Sequence, residues 1–200
     1  MSNRTFTFLG KIFFFLIFCN ISYSNIIDPK DFIEEIVNDT KNILIKTNSL
    51  EYKSEKLSEI AKQKVDIKGI GLYTLGKYRK TLSKEKIEEY NKIFKIYFLK
   101  SFTSRLSDYS DPKIDVISSI KKNDKYTIVS SILLATEKKP EVKIDWRVYT
   151  ANPEKPLIRD LIIEGLSLAR TLKEEFSSII ESNNGDINIL FSKLKEFIEK

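Results

Sequence analysis

The residues that most often carry chemistry are scarce in this sequence. Histidine is absent from the 200 residues, and Cys19, near the N-terminus, is the single cysteine. The chain therefore offers no Ser–His or Cys–His nucleophile pair, no imidazole acid–base group and no His/Cys zinc site. Carboxylate, lysine and tyrosine chemistry stay open, but the acids alternate with lysines as on a solvated helix face. We predict a binding protein, not an enzyme, with no metal and no cofactor.

One segment has part of a nucleotide-binding motif. Gly69 and Gly71 are spaced as in half of a dinucleotide fingerprint, and Gly76 follows them. That fingerprint needs a strand before its glycines, and the preceding residues show no strand pattern. We interpret the segment as a junction between helices, at which Gly76 lets the backbone turn.

The first 24 residues have the features of a signal peptide. Arg4 and Lys11 form a basic start, and residues 12–18 (IFFFLIF) form an unbroken apolar run. This run is far shorter than the roughly 20 residues that a membrane span needs. Ser22 and Ser24 supply the small side chains that signal peptidase requires, so we predict cleavage after residue 24 and export.

Two alternatives remain for this segment. The apolar run could be kept as an N-terminal anchor, or Cys19 could carry a lipid, although bulky Phe18 stands where lipoproteins need a small residue. Cleavage leaves residues 25–200 as one domain, without a cysteine for a disulfide. The net charge falls from +6 to +4, because Arg4 and Lys11 are lost. A hydrophobic core must hold this domain together.

The hydrophobic pattern predicts helices, then a sheet, then helices. A helix begins at Asp28-Pro29, and further helices are expected at residues 54–64, 84–107, 167–182 and 187–198. Between the helices at residues 84–107 and 167–182, four strand-like segments with mostly alternating apolar residues are joined by short turns, which indicates a four-stranded antiparallel meander. The fold class is therefore α+β, with several helices over one face of the sheet and an apolar slot between them.

The helix predicted at residues 84–107 has an aromatic face. Phe94, Phe98 and Phe102 recur on it at helical spacing. Such a stripe is typical of a packed core. Its rings also resemble the aromatic and aliphatic walls of a ligand pocket, and periodicity alone leaves both interpretations open.

Several motifs resemble those of one family. The run from Asp160 to Leu168 (DLIIEGLSL), followed by Phe176, resembles a signature of the MlaC, or toluene-tolerance, family of periplasmic phospholipid-binding proteins. The segments at residues 75–78 (LGKY), 145–148 (DWRV) and 185–194 resemble further family motifs in order and spacing. The resemblance covers nearly the whole chain after the leader.

This resemblance implies a soluble periplasmic carrier of a Gram-negative bacterium. Such carriers hold the acyl tails of a phospholipid in a slot. They pass lipid between an outer-membrane lipoprotein complex and an inner-membrane ABC transporter complex with an MCE-domain subunit, which maintains outer-membrane lipid asymmetry. We expect a monomer. The predicted lining of the slot combines the junction, the aromatic helix and the strands: Leu72, Leu75, Tyr78, Phe94, Phe98, Phe102, Ile132, Leu134, Ile144, Trp146, Val148, Leu161 and Ile163.

The basic charge suggests other partners. Nucleic-acid binding needs a clustered basic stripe with exposed aromatics, whereas these lysines alternate with acids, and export argues against that partner. The lysines could instead steer docking to anionic lipid head groups or to acidic proteins. A periplasmic chaperone or a lipoprotein carrier with an apolar groove is the alternative function.

Overall fold

The structure, a computed structural model, describes residues 25–107, 111–137 and 140–200. The predicted signal peptide and Cys19 lie outside these residues. The α-helices of the described part are α1 (Pro29–Leu44), α2 (Leu50–Lys64), α3 (Ile67–Thr74), α4 (Lys84–Ser107), α5 (Leu168–Glu181) and α6 (Ile187–Glu199). A 3-10 helix spans Gly76–Lys80. Within the described ranges, no helix combines the length and the apolar character needed to cross a membrane.

The strands form one antiparallel sheet. They are β1 (Ile114–Asn123), β2 (Tyr126–Leu133), β3 (Val142–Tyr149), β4 (Leu157–Ile163) and β5 (Leu166–Ser167), and they lie in the order β1-β2-β3-β4-β5. The predicted α+β class and the meander are confirmed. The two-residue β5 was missed because it is too short to show any alternation.

Side-chain caps fix where several helices begin. The carboxylate of Asp28 accepts from the N–H of Lys30 at 2.7 Å, and the hydroxyl of Ser167 accepts from the N–H of Arg170 at 3.1 Å. Both caps agree with the sequence. The second helix begins earlier than predicted, at Leu50, because the hydroxyl of Ser49 accepts from a backbone N–H one turn later.

The glycine-rich junction is more helical than predicted. It forms α3, which Asp66 caps by accepting from the N–H of Gly69 at 2.9 Å. Gly71 lies directly against the ring of Phe94 on α4. Gly76 ends the segment with a φ of +54°, a conformation that favours glycine.

Apolar side chains of the described part pack in two clusters. The helical cluster joins the four helices α3, α4, α5 and α6. It contains Ile67, Ile70, Leu75, Tyr90, Ile93, Phe94, Ala169, Phe176, Ile180, Ile187, Leu190, Phe191 and Leu194. The sheet cluster joins α1 to the sheet and contains Phe32, Ile33, Ile36, Val37, Val129, Val148 and Ile158. Val65, between α2 and α3, packs against both clusters. The interior is thus divided between a sheet part and a helical part.

Tyr90 lies fully buried in the helical cluster. The Thr74 hydroxyl donates to the carbonyl of Gly71 at 2.7 Å, so it accepts from the Tyr90 hydroxyl, which lies 2.7 Å away. Burial raises the pKa of Tyr90, and the hydrogen bond to Thr74 lowers it by less. The phenol therefore stays protonated, and its hydrogen bond to Thr74 links α4 to α3 within the core.

The contact between α3 and α4 gives a first prediction. A methyl group on Gly71 would lie 2.7 Å from a ring carbon of Phe94, which is 1% exposed and cannot move freely. Gly71→Ala should lower the free energy of unfolding by about 1–2 kcal/mol, because overpacking outweighs the better helix propensity of alanine. Urea denaturation measures the change. Ser192→Ala, at an exposed helical site, is the control and should shift stability by less than about 0.5 kcal/mol. An unchanged midpoint for Gly71→Ala would show that the two helices can separate at no cost.

Candidate functional site

One face of the sheet carries most of the predicted strand residues. We call it the inner face, because Val129 and Val148 on it pack against α1. Residues directly opposite on paired strands share a face. The register pairs Val129 with Trp146, Trp146 with Leu161, and Ile144 with Ile163. Four predicted site residues, Ile144, Trp146, Leu161 and Ile163, therefore lie together on the inner face.

The cover over the inner face is uneven. At one end Val148 is 0% exposed and Ile158 is 5% exposed, beneath α1. Towards the other end the apolar side chains are only half-buried. We call these half-buried residues the apolar patch: Leu133, Val142, Ile144, Trp146, Leu161 and Ile163. A contiguous apolar surface of this kind is what a hydrophobic ligand or partner covers.

Trp146 is held rigidly in the apolar patch. Its indole N–H donates to the hydroxyl of Ser131 at 2.8 Å, and that hydroxyl donates to the carbonyl of Ile144 at 3.2 Å. Ser131 is fully buried, so its hydroxyl has no competing water. The ring keeps its polar atom satisfied and presents its apolar surface to the patch.

Two predicted residues do not join this face. The register pairs Ile132 with Lys143, so Ile132 lies on the outer face, opposite to Ile144. Leu134 follows the end of β2, where its N–H donates to the carbonyl of Lys113 at 2.8 Å. The expectation that Ile132 points inward with Ile144 is wrong, and Leu134 lies beyond the strand on which the expectation placed it. Leu133 takes the inward position, because the apolar run at residues 132–134 gives no alternation from which to choose a face.

Strand β4 has a bulge that the sequence pattern did not reveal. Simple alternation along this segment predicts that Leu157, Arg159, Leu161 and Ile163 lie on one side of the strand. In the structure Asp160 pairs with Arg147, and Ile158 pairs with Val148, so Arg159 is an extra residue between them. Ile158 therefore shares the inner face with Leu161, whereas Leu157 does not.

Contacts from distant elements hold the bulge. The Arg159 guanidinium donates to the carboxylate of Asp66 at 2.6 Å and to the hydroxyl of Tyr126 at 2.9 Å. It also lies 3.8 Å from the ring centre of Tyr149. Burial lowers the pKa of Arg159, but the hydrogen bonds to Tyr126 and Asp66 outweigh burial and the pKa is raised. The cluster fastens the α2–α3 junction to the sheet.

Three predicted residues are sealed within the cores. Leu75 and Phe94 belong to the helical cluster and Val148 to the sheet cluster, and each is at most 1% exposed. Side chains buried to this extent are in contact with neither solvent nor an internal cavity. In this conformation these side chains support the fold and contact protein on all sides.

The remaining predicted residues are half-buried and belong to the helical part. Phe98 and Phe102 stack with ring centres 6.0 Å apart and planes 8° apart, and Phe98 packs against the helical cluster. Tyr78 packs against the same cluster, and Leu72 lies on α3. The predicted site is thus divided: its sheet residues form the apolar patch, and its helical residues line the edge of the other cluster.

The signature run from Asp160 to Leu168 has a structural role. The carboxylate of Asp160 accepts from the hydroxyl of Ser167 at 2.6 Å and from the N–H of Ala169 at 3.0 Å. Arg147 lies 3.4 Å from the same carboxylate. Glu164 and Gly165 turn the chain with φ values of +48° and +82°. The run therefore fixes the start of α5 on the sheet.

Known proteins resemble this chain in sequence and in fold. The family described as MlaC protein matches residues 31–196. A solved structure of a phospholipid-binding protein from Ralstonia solanacearum, in complex with a phospholipid, has a similar fold with a TM-score of 0.71. The likeness covers 86% of this chain and 98% of that chain at 20% identity, a level at which it shows the fold. No curated protein matches the chain.

Proposed function

The chain belongs to the MlaC protein family, and from this membership we propose that it is a phospholipid-binding carrier. The single observation that carries the proposal is the apolar patch around Trp146, a continuous set of half-buried apolar side chains on the inner face of the sheet. The similar Ralstonia protein was solved with a phospholipid, which supports the same class of ligand here. We propose that the protein binds and transports lipid and performs no chemistry.

The energetics of lipid transfer favour such a surface. Each methylene moved out of an apolar environment costs roughly 0.8 kcal/mol, so a lipid with some thirty methylenes needs more than about 20 kcal/mol of shielding. Shielding on this scale requires an extended apolar surface and few polar groups. The apolar patch provides aliphatic and aromatic surface. The indole N–H of Trp146 within it already donates a hydrogen bond to the hydroxyl of Ser131.

We propose that the acyl tails lie between the sheet and the helical part. The sheet wall is the apolar patch, including Leu133 and Val142, which sequence analysis missed. The helical wall consists of the half-buried Leu72, Tyr78, Phe98 and Phe102. Leu75, Phe94 and Val148 support these walls from behind. The head group stays in water.

The family also suggests a place for the carrier. We propose that residues 1–24 direct export and are cleaved, so that a monomeric domain works in the periplasm of a Gram-negative bacterium. There it would carry phospholipid between an outer-membrane lipoprotein complex and an inner-membrane ABC transporter complex with an MCE-domain subunit. Maintenance of outer-membrane lipid asymmetry would follow from this traffic.

Co-purified lipid tests the proposal directly. The protein is produced with export to a periplasm and extracted, and its ligand is identified by mass spectrometry. We expect about one phospholipid per chain. Lipid added to delipidated protein should also change the emission of Trp146, the single tryptophan. Bound polypeptide in place of phospholipid would favour a chaperone or lipoprotein carrier, and unchanged Trp146 emission would exclude that residue from the lining.

A further inference from the structure

A concave region, which we call the lysine groove, lies at the opposite end of β4 from the apolar patch. It forms where the start of α1, the α2–α3 junction and the turn between β3 and β4 meet, and its volume is about 670 Å³. Five lysines and two acids contribute to its wall. This volume is within the usual range of roughly 300–1,000 Å³ for binding pockets.

The charges of the groove are only partly neutralised. Asp66 is paired with Arg159, and Lys64 is paired with Glu35 at 2.8 Å. The four other lysines have no ion-pair partner among the residues that the structure describes: Lys62, Lys68, Lys95 and Lys155. All four are exposed. Excess positive charge around a concavity attracts an anionic partner.

The floor of the groove is apolar and closed. Phe32 and Ile67 lie in it and are 3% and 7% exposed, and Val65 and Leu157 lie beside them. A ligand can rest its apolar groups on this floor but does not pass through it. The ammonium group of Lys64, which is paired with Glu35, lies 5.4 Å from the ring centre of Phe32.

The arrangement distinguishes between anionic partners. A single phosphate is best held by donors that converge on it, whereas these lysines come from α2, α3, α4 and the turn before β4. A flat bilayer would touch the lysine rim but could not reach the recessed floor. An extended polypeptide with alternating acidic and apolar side chains can contact both. We propose that an acidic segment of a partner protein docks in the lysine groove.

Docking there leaves the apolar patch free, whereas Lys68 and Lys95 of the groove lie one helical turn before Leu72 and Phe98 of the proposed helical wall. The groove reaches Leu157 at the start of β4, and the apolar patch reaches Ile163 at its end. Six residues of strand separate these positions by about 20 Å at 3.3 Å per residue. The inference goes beyond the proposed function, because a partner could hold the carrier by the groove while lipid enters or leaves at the patch.

Peptide binding to full-length mature protein tests the inference. The probe is a fluorescein-labelled peptide of alternating glutamate and leucine, followed by fluorescence anisotropy at low and high salt. The wild type should bind it, and binding should weaken as salt rises. Lys62→Glu with Lys95→Glu should weaken binding at least tenfold. Lys46→Glu with Lys122→Glu reverses two exposed lysines outside the groove, gives the same net charge and should change binding less than twofold.

Three results would overturn the inference. Equal losses of peptide binding in both double variants would show that the net charge of the protein, and not the groove, controls binding. Unchanged peptide binding in the groove variant, together with lost binding to phosphatidylglycerol vesicles, would make a lipid surface the partner. Loss of co-purified phospholipid in the groove variant would show that the groove is part of the lipid-binding site. Weakened peptide binding with retained phospholipid supports docking in the groove. The peptide-binding measurement does not depend on whether the carrier proposal holds.

Discussion

Replacement of Asp160 by alanine should lower the free energy of unfolding by about 3 kcal/mol. The side chain is 3% exposed, and its carboxylate accepts from the Ser167 hydroxyl and the Ala169 N–H beside Arg147. Alanine would leave the buried N–H of Ala169 without its acceptor, and would remove a partner of the half-buried Ser167 hydroxyl and the counter-ion of the partly exposed Arg147. It would also remove a negative charge from the positive end of the α5 dipole. Urea or thermal denaturation monitored by circular dichroism measures the loss.

Asp186 provides a matched control for this substitution. It is also an aspartate at a helix start, where it accepts from the N–H of Asn188 at 2.9 Å, but it is exposed. Asp186→Ala should cost about 1 kcal/mol, the usual effect of losing a cap. Asp160→Asn keeps an acceptor for Ala169 and should fall between the two alanine variants. Equal losses for Asp160→Ala and Asp186→Ala would mean that Asp160 acts as a cap and nothing more.

Local rules predicted the parts of the fold that local interactions determine. Ser167 caps α5 because its hydroxyl reaches a backbone N–H within the same turn, which the sequence spacing already implies. The long α4 and the antiparallel meander follow from periodicity over many residues. In each case the interacting residues are neighbours in the chain, so their types and spacing carry the information.

Long-range contacts decided the features that sequence analysis missed. The bulge at Arg159 depends on Asp66, 93 residues earlier, and on Tyr126, so alternation along β4 assigned the wrong faces around it. Helix α3 forms in a glycine-rich segment because Gly71 allows close approach to Phe94 on α4. No pattern within one element encodes these partners.

The same limit explains the division of the predicted site. Apolar residues that fill a core and apolar residues that line a ligand site have the same composition and the same spacing. Sequence analysis therefore grouped Val148, which is sealed beneath α1, with Ile144, which is only half-buried four residues earlier on the same face. Only the extent of the cover over each position separates them, and α1 and the sheet determine that cover together.

Replacement of Ile144 by aspartate should remove most of the bound phospholipid, at least tenfold relative to wild type. Ile144 lies within the apolar patch, opposite Ile163 on the inner face, and is half-buried. A carboxylate there would have to lose its water when acyl chains cover it, which costs several kcal/mol. Because the side chain is partly exposed without lipid, the folded domain should tolerate the change better than it would tolerate Phe98→Asp, which disrupts stacked rings.

Ile132 gives the decisive comparison because it differs from Ile144 mainly in the face it occupies. Both are half-buried isoleucines on neighbouring central strands, but Ile132 lies on the outer face between Lys143 of β3 and Asp115 of β1, so an aspartate there meets one charge of each sign. Ile132→Asp should keep its phospholipid within twofold of wild type. Mass spectrometry of extracts from both variants, with circular dichroism to establish folding, measures the difference. If the two folded variants lose lipid equally, the inner face is not the cargo wall; if only Ile144→Asp loses it, acyl chains cover the apolar patch.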